Sequence, residues 1–239
     1  MNLLAFDTST ERLSVALSVT DGASGVGTRL LSHEAAGGRE ASTTLIPAAL
    51  GLLREAGLGL SSLDAIVFGR GPGSFTGLRT ACSVAQGLAY GAALPVLPVE
   101  TLLAVAEEAR HAHGVARVLA LLDARMDEVY AAAYVHDGQR WTREGPVTLG
   151  RPQALAVPAG FVLAGNAFDA YADRLPTGPR LPALPTAAAL LRVAPGLIDA
   201  GAAVPAHEAL PLYVRDKVAQ TTEEREALRA ARAQPGGPA

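Results

Sequence analysis

The sequence predicts an α/β chain of two similar lobes, each built on a mixed sheet with helices against it. Apolar runs of strand length alternate with helix-length segments along the chain, the pattern of strands linked by covering helices. Two distant stretches also match. Asp7 laid on Asp123, an offset of 123 − 7 = 116, puts residues 11–17 over residues 127–133. Both stretches read as strand, acid, tight turn, acidic residue, strand, the mark of an internal repeat.

"LLAFD" (3–7) is a buried strand ending in an acid. "LSVALSV" (13–19) alternates with period two, and "TDG" after it signals a turn. Residues 28–35 add a third strand and complete a meander. Gly37 and Gly38 break the chain, and a helix over 39–56 stops at Gly57. A strand at 63–69 leads through a glycine-rich loop into a helix over 76–91. Residues 94–99 form a short strand whose prolines suit an edge or a strand end. The pattern then restarts, which places a boundary near 99–101. It runs as a helix over 101–112, strands at 116–124 and 127–135 turning at "HDG", a strand at 161–166 and a helix over 186–194. A Thr221/Glu224 capping box opens a last helix, and residues 233–239 read as a disordered tail.

Composition narrows the function. The chain has 239 residues, a net charge of −3 and 5% aromatic residues, so Ala, Leu, Val and Gly must build the core. A protein without basic excess is not a self-sufficient nucleic-acid binder, and RNA contact would need a partner to supply positive charge. The single cysteine, Cys82, rules out an internal disulfide and a zinc–thiolate cluster. The start "MNLLAFDTS" lacks the basic segment of a signal peptide. No apolar run approaches the ~18 residues of a membrane span. The expected setting is the cytoplasm.

"FGRGPGSFTGLR" (68–79) has the outline of a phosphate-binding turn: strand, glycines, helix start. It lacks the lysine of a P-loop, and Thr76 stands where the dinucleotide fingerprint needs its third glycine. Two readings remain. Asp7, Gly71, Gly73, Ser74 and Thr76 form an anion or nucleotide site at the helix N-terminus, or the loop is a rigid turn that seats a closely packed helix.

The helix after the loop has two apolar strips, one of Gly77, Ala81 and Val84 and one of Leu78, Cys82, Ala85 and Ala89. Arg79, Ser83, Gln86 and Tyr90 make only a mild polar line. The helix over 39–56 shows the same excess, with Leu45, Ala49, Leu52 and Ala56 beside Ile46, Leu50 and Leu53. One stripe of each packs on a sheet. The other needs a cover, from the second lobe or from another subunit, and a subunit contact is the expectation.

Other candidates point nowhere specific. Asp7 and Asp123 end strands at matching positions, and acids there either hold a metal or phosphate or pin a turn through backbone N–H groups. His111 and His113 are two apart on a helix and cannot share a metal. His33, His136 and His207 stand alone, and no nucleophile elbow or zinc-protease motif occurs. Cys82 reads as packing.

"DTST" (7–10), "GRGPGSFTGLR" (69–79), "AQGLA" (85–89), "DARMDEVY" (123–130) and "PLYVR" (211–215) strongly resemble the TsaB/YeaZ family, in order over about residues 1–217. That resemblance implies the ASKHA (actin/hexokinase/Hsp70-like) fold. It implies a first lobe at 1–100, a second at 101–210 and a segment at 211–232 returning toward the first. It further implies a non-catalytic scaffold for N6-threonylcarbamoyladenosine formation at adenosine 37 of tRNA. Such a subunit binds the catalytic paralogue TsaD through the helices at 39–56 and 76–91, supports the ATPase TsaE and pairs with itself when alone. By position the interface residues are Leu45, Ile46, Ala49, Leu50, Leu52 and Leu53, with Leu78, Ala81, Cys82 and Ala85. The paralogue holds its metal through an HxxxH motif, and here those positions are Ala41 and Leu45. The expectation is therefore no metal and no resident cofactor. The rival expectation is an ATPase or small-molecule kinase using Asp7 and the loop at 71–76.

Overall fold

The computed structural model describes residues 1–20 and 27–215. The chain opens with β1 (Leu3–Asp7), β2 (Arg12–Thr20) and β3 (Thr28–Ala36), an antiparallel meander. Then come α1 (Ala41–Ala56), β4 (Ala65–Gly71), α2 (Phe75–Ala92) and β5 (Val96–Glu100). The first sheet has the order β3-β2-β1-β4-β5, and β4 runs parallel to both β1 and β5. The chain passes from β5 straight into α3 (Thr101–His113), where the sequence places its boundary.

The second lobe repeats the plan with β6 (Arg117–Arg125), β7 (Glu128–His136), β8 (Trp141–Gly150), β9 (Val162–Gly165), α4 (Phe168–Tyr171) and β10 (Arg180–Pro182). Its order, β10-β9-β6-β7-β8, is the first sheet's with each strand replaced by its counterpart. The copies differ at one turn. Asp7 faces Ser14 across its hairpin, 14 − 7 = 7 residues on, whereas Asp123 faces Val129, 129 − 123 = 6 residues on. The second hairpin is tighter, and Arg125, Met126 and Asp127 all take positive φ to close it.

The first sheet is covered on both faces, so all of β1 is buried. Leu4 and Phe6 point to α1 and α2, while Leu3 and Ala5 face α5 (Ala187–Asp199). In the second lobe, Val118, Ala120 and Leu122 of β6 pack on α3, and Leu119 and Leu121 pack on Tyr171 and Leu175. α3 and α5 lie together between the sheets.

Three features depart from the sequence reading. The return to the first lobe begins at α5, not at 211, because α1 and α2 share one face of the first sheet and leave the other for Ala187, Leu190 and Ala194. β8, unforeseen, is an exposed edge strand with charged residues, Gly145 and Pro146. β10 is only three residues long. The helix expected from Thr221 and the tail at 233–239 lie outside the described residues. Among the described residues no helix is long and apolar enough to cross a membrane.

Candidate functional site

The glycine loop is occupied by the chain itself. Gly77, in the first turn of α2, lies so close to the end of β1 that an added Cβ would sit 1.8 Å from the Thr8 carbonyl oxygen. Only glycine allows that approach. The Thr8 hydroxyl donates to the Gly77 carbonyl at 2.7 Å, and the Ser74 amide donates to the Ser9 carbonyl at 2.7 Å. Gly73 lies against Ser9, and the Gly71 amide donates to the Thr101 hydroxyl at 3.1 Å. Ser74 caps α2, its hydroxyl accepting from the Gly77 amide at 3.4 Å. Thr76 is exposed on the outside of the first turn. The structure thus gathers Asp7, Gly71, Gly73 and Ser74 into one cluster, and the partner of the loop is the "DTS" turn at residues 7–9.

Asp7 is 1% exposed. One carboxylate oxygen accepts the Ser9 amide at 2.8 Å and the Ser9 hydroxyl at 2.5 Å, and the other faces the Thr101 hydroxyl at 3.4 Å. Burial raises its pKa from the ordinary 3.8 to about 6, against the lowering effect of the Ser9 and Thr101 hydrogen bonds. Asp123 does the same job in the second lobe, accepting the Arg125 amide at 2.8 Å and the Tyr171 hydroxyl at 2.8 Å. Each acid pins its hairpin through the N–H two residues on, the turn-pinning one of the two roles open to it in the sequence.

The helix pair corrects the sequence reading of the interface. Leu45, Ala49, Leu52 and Leu53 of α1 and Leu78, Ala81, Cys82 and Ala85 of α2 are all buried within this single chain. Most of the surplus apolar surface is covered from within. On α2 part of that cover is the segment before residue 210, unsuspected in the sequence. Val204 and Ala206 pack on the same core, and the Ala209 carbonyl accepts from Cys82 Sγ at 3.2 Å and from Gln86 Nε2 at 2.9 Å. What faces outward on α1 is Ile46, 40% exposed, with Leu50 half-buried. On α2 it is Ser83, Gly87, Tyr90 and Gly91, and Tyr90 is 84% exposed. The sequence set Tyr90 in a mild polar line; its exposure makes it the most prominent aromatic of the surface.

A cleft of about 870 Å³ separates the lobes, with Glu11, Ser74, Asp123, Met126, Asn166 and Tyr213 among its walls. Several charges at it are paired: Arg125 with Glu11 and with Asp123 at 3.2 Å, Arg215 with Glu128 at 2.7 Å. Ala41 and Leu45, which stand at the metal-binding positions of the paralogue's motif, are wholly buried and apolar. Side chains at these two positions offer a metal no N-donor.

The family model described as TsaD, tRNA N6-adenosine threonylcarbamoyltransferase, matches residues 31–195. The chain is 36% identical to the tRNA threonylcarbamoyladenosine biosynthesis protein TsaB of Escherichia coli, covering 92% of this chain and 96% of that one. YeaZ from Pseudomonas aeruginosa has a similar structure, with a TM-score of 0.81 at 43% identity over 89% of this chain and 99% of that one. A second Pseudomonas aeruginosa structure, described as an uncharacterized protein with similarity to peptidase YeaZ, gives a TM-score of 0.81 at 42% identity, covering 90% of this chain and 99% of that one.

Proposed function

The chain belongs to the TsaB/YeaZ family, and from that premise we propose that it is a non-catalytic subunit in the synthesis of N6-threonylcarbamoyladenosine on tRNA. Its partner is a TsaD-like paralogue that carries the chemistry. The paralogue docks on the outer faces of α1 and α2, around Ile46, Leu50, Gly87 and Tyr90. A TsaE-like ATPase joins the assembly, the chain pairs with itself through the same surface when alone, and tRNA is met mainly through the complex, as a net charge of −3 suits.

The observation that carries the non-catalytic role is the filled loop. The turn at residues 7–9 occupies the inner side of the glycine loop, and Asp7 is spent on Ser9 and Thr101. The paralogue's metal positions are hydrocarbon. The residues that would do chemistry in an enzyme of this fold serve here to seat α2. A twice-glycine outer face beside an exposed tyrosine suits close helix-to-helix docking with one aromatic anchor.

Reconstitution tests the reading. Purified TsaD-like and TsaE-like proteins, threonylcarbamoyl-adenylate and unmodified tRNA are incubated with and without this chain. Modified adenosine, read by mass spectrometry of the nucleosides, is expected only when the chain and the TsaD-like protein are both present. Product from this chain and tRNA alone, or full activity without the chain, overturns it.

A further inference from the structure

The segment just after the last 3-10 turn touches both lobes within four residues. The Leu212 amide donates to the Arg70 carbonyl at 2.7 Å, on the first lobe. The Tyr213 ring lies 5.4 Å from that of Phe75, and its hydroxyl accepts from Arg79 Nε at 3.1 Å, both at the start of α2. Two residues on, the guanidinium of Arg215 donates to the Ala124 carbonyl at 3.0 Å and pairs with Glu128 at 2.7 Å, on the second lobe. Leu212, Tyr213 and Arg215, with Phe75 and Ala124, wall the cleft. Beside them Glu11, on the first-lobe hairpin, pairs with Arg125 on the second-lobe hairpin.

The clasp falls on the strained turn. Arg125, Met126 and Asp127 are three consecutive non-glycine residues with φ of 61°, 56° and 63°. Two-residue hairpins with positive φ ordinarily take Asn-Gly; here the loop residues are Met126 and Asp127, between paired Arg125 and Glu128. Such a conformation persists only where its surroundings over-determine it. Arg215 holds the residue before the turn and the residue after it, Glu11 holds Arg125, and Arg174 holds Asp127 at 2.9 Å. The lobes are joined again at the opposite end of the second sheet. There Glu107 of α3 meets Trp141 of β8 and Arg192 of α5. The sheets also meet directly where Glu100, at the end of β5, accepts from the Tyr134 hydroxyl at 2.8 Å and pairs with Arg143 at 3.1 Å, so the clasp acts beside these ties rather than in place of them.

We infer that residues 212–215, with Glu11, form an inter-lobe clasp that sets the opening of the cleft and holds the β6–β7 turn in its left-handed form. The start of α2 and the second-lobe hairpin are thereby one mechanical unit, joined through Tyr213 and Arg215. Releasing the clasp lets the lobes hinge about α3 and α5 and lets the turn relax.

Spin labels on Ser32→Cys and Thr142→Cys, exposed on the outer strands of the two sheets, report the angle in the full chain; Cys82 is buried and stays unlabelled. Double electron–electron resonance is expected to give one narrow distance for the parent. Arg215→Ala combined with Glu11→Ala is expected to broaden it or add a second population. Amide exchange at 124–128 should rise about tenfold or more in Arg215→Ala, while amides of β1 and β6 up to Leu122 keep their protection. Tyr213→Ala leaves the Arg215 contacts intact and should broaden the distance on its own. A distribution equally narrow in all the variants, or unchanged exchange at 124–128, overturns the clasp. General loss of protection through β1 would also overturn it, since the residues would then support the fold and not the angle.

Discussion

Asp7 Oδ2 fills the space that a side chain on Gly69 would need: a Cβ there would lie 1.8 Å from it. The acid at the end of β1 and the bare backbone of β4 are thus fitted to one another, with Thr101 of α3 closing the third side. Gly69→Ala must displace the Asp7 carboxylate, whose atoms are the nearest to the new methyl, from its Ser9 and Thr101 partners in a closely packed core. It is expected to cost about 1–3 kcal/mol, read as a lower midpoint in urea unfolding. Gly87→Ala, where an added Cβ meets nothing within 4 Å, is the contrast. It should stabilise the isolated chain by about 0.5–1 kcal/mol.

The buried carboxyl of Asp7 makes stability depend on pH. Its folded pKa of about 6 lies above its ordinary 3.8, so the folded state binds the extra proton. The favourable contribution is fully present below the ordinary value and is lost as pH rises through the folded one. Across about pH 4 to 6 the unfolding free energy should therefore fall as pH rises, by about 3 kcal/mol from this group. Asp7→Asn removes the titration and should flatten that window in a series of denaturant melts. A parent profile already flat between those values would show that the carboxyl is less confined than its burial indicates.

What the sequence made legible, and what it hid, follows from what a pattern can report. The strands at "LLAFD" and "LDAIVFG" were legible because strands buried on both faces read as continuous apolar runs. The duplication was legible from Asp7 and Asp123, since each pins its hairpin and so fixes a local pattern in the chain. The glycine spacing without a lysine excluded the P-loop but left the loop open as an anion site or as a seat, because glycines permit both. A helix stripe, however, reports that a face is covered and not by what. The second stripes of α1 and α2 were therefore assigned to a partner, although the chain's own segment before residue 210 lies on part of the α2 stripe. The placement of α5 on the first sheet depends on a face left bare by helices more than a hundred residues earlier. β8 gave no signal because an exposed edge strand satisfies neither periodicity.

Glu107 is the charged centre of the layer between the sheets. It is 2% exposed and accepts from Arg110 at 2.8 Å, from Trp141 Nε1 at 2.9 Å and from Arg192 at 3.0 Å. Burial pushes its pKa up, but the hydrogen bonds and charges of its partners outweigh that and leave it below the ordinary 4.5. This group contributes stability above the ordinary value and loses it as pH falls through the folded one, opposite in sign to Asp7. Glu107→Ala strands the Arg110 guanidinium and the Trp141 indole N–H, leaves Arg192 with Glu108 alone, and is expected to cost about 3 kcal/mol at neutral pH. The acid limb of the parent's pH–stability curve, below about pH 4.5, should shrink in Glu107→Gln. An acid limb of unchanged size in that variant would place its origin elsewhere.

The proposed docking face can be separated from the core beneath it by four aspartates. Ile46 and Tyr90 point outward, so Ile46→Asp and Tyr90→Asp should change the stability of the isolated chain by no more than about 0.5 kcal/mol. Leu45 and Ala81 are wholly buried against the first sheet, so Leu45→Asp and Ala81→Asp should unfold the chain, because an unpaired charge there cannot be accommodated. Partner loss in the buried variants would therefore say nothing about docking, and the outward pair carries the test. If Tyr90 is an anchor, Tyr90→Ala costs about 2 kcal/mol of binding, near a thirtyfold weaker Kd for the TsaD-like protein in calorimetry. Gly87→Ala sharpens the result further. It adds a methyl to the outer face of α2, so a protein that melts higher yet binds more weakly marks close helix packing at that spot. Unaltered affinity in Tyr90→Asp and Ile46→Asp together would move the partner to a different surface of the chain.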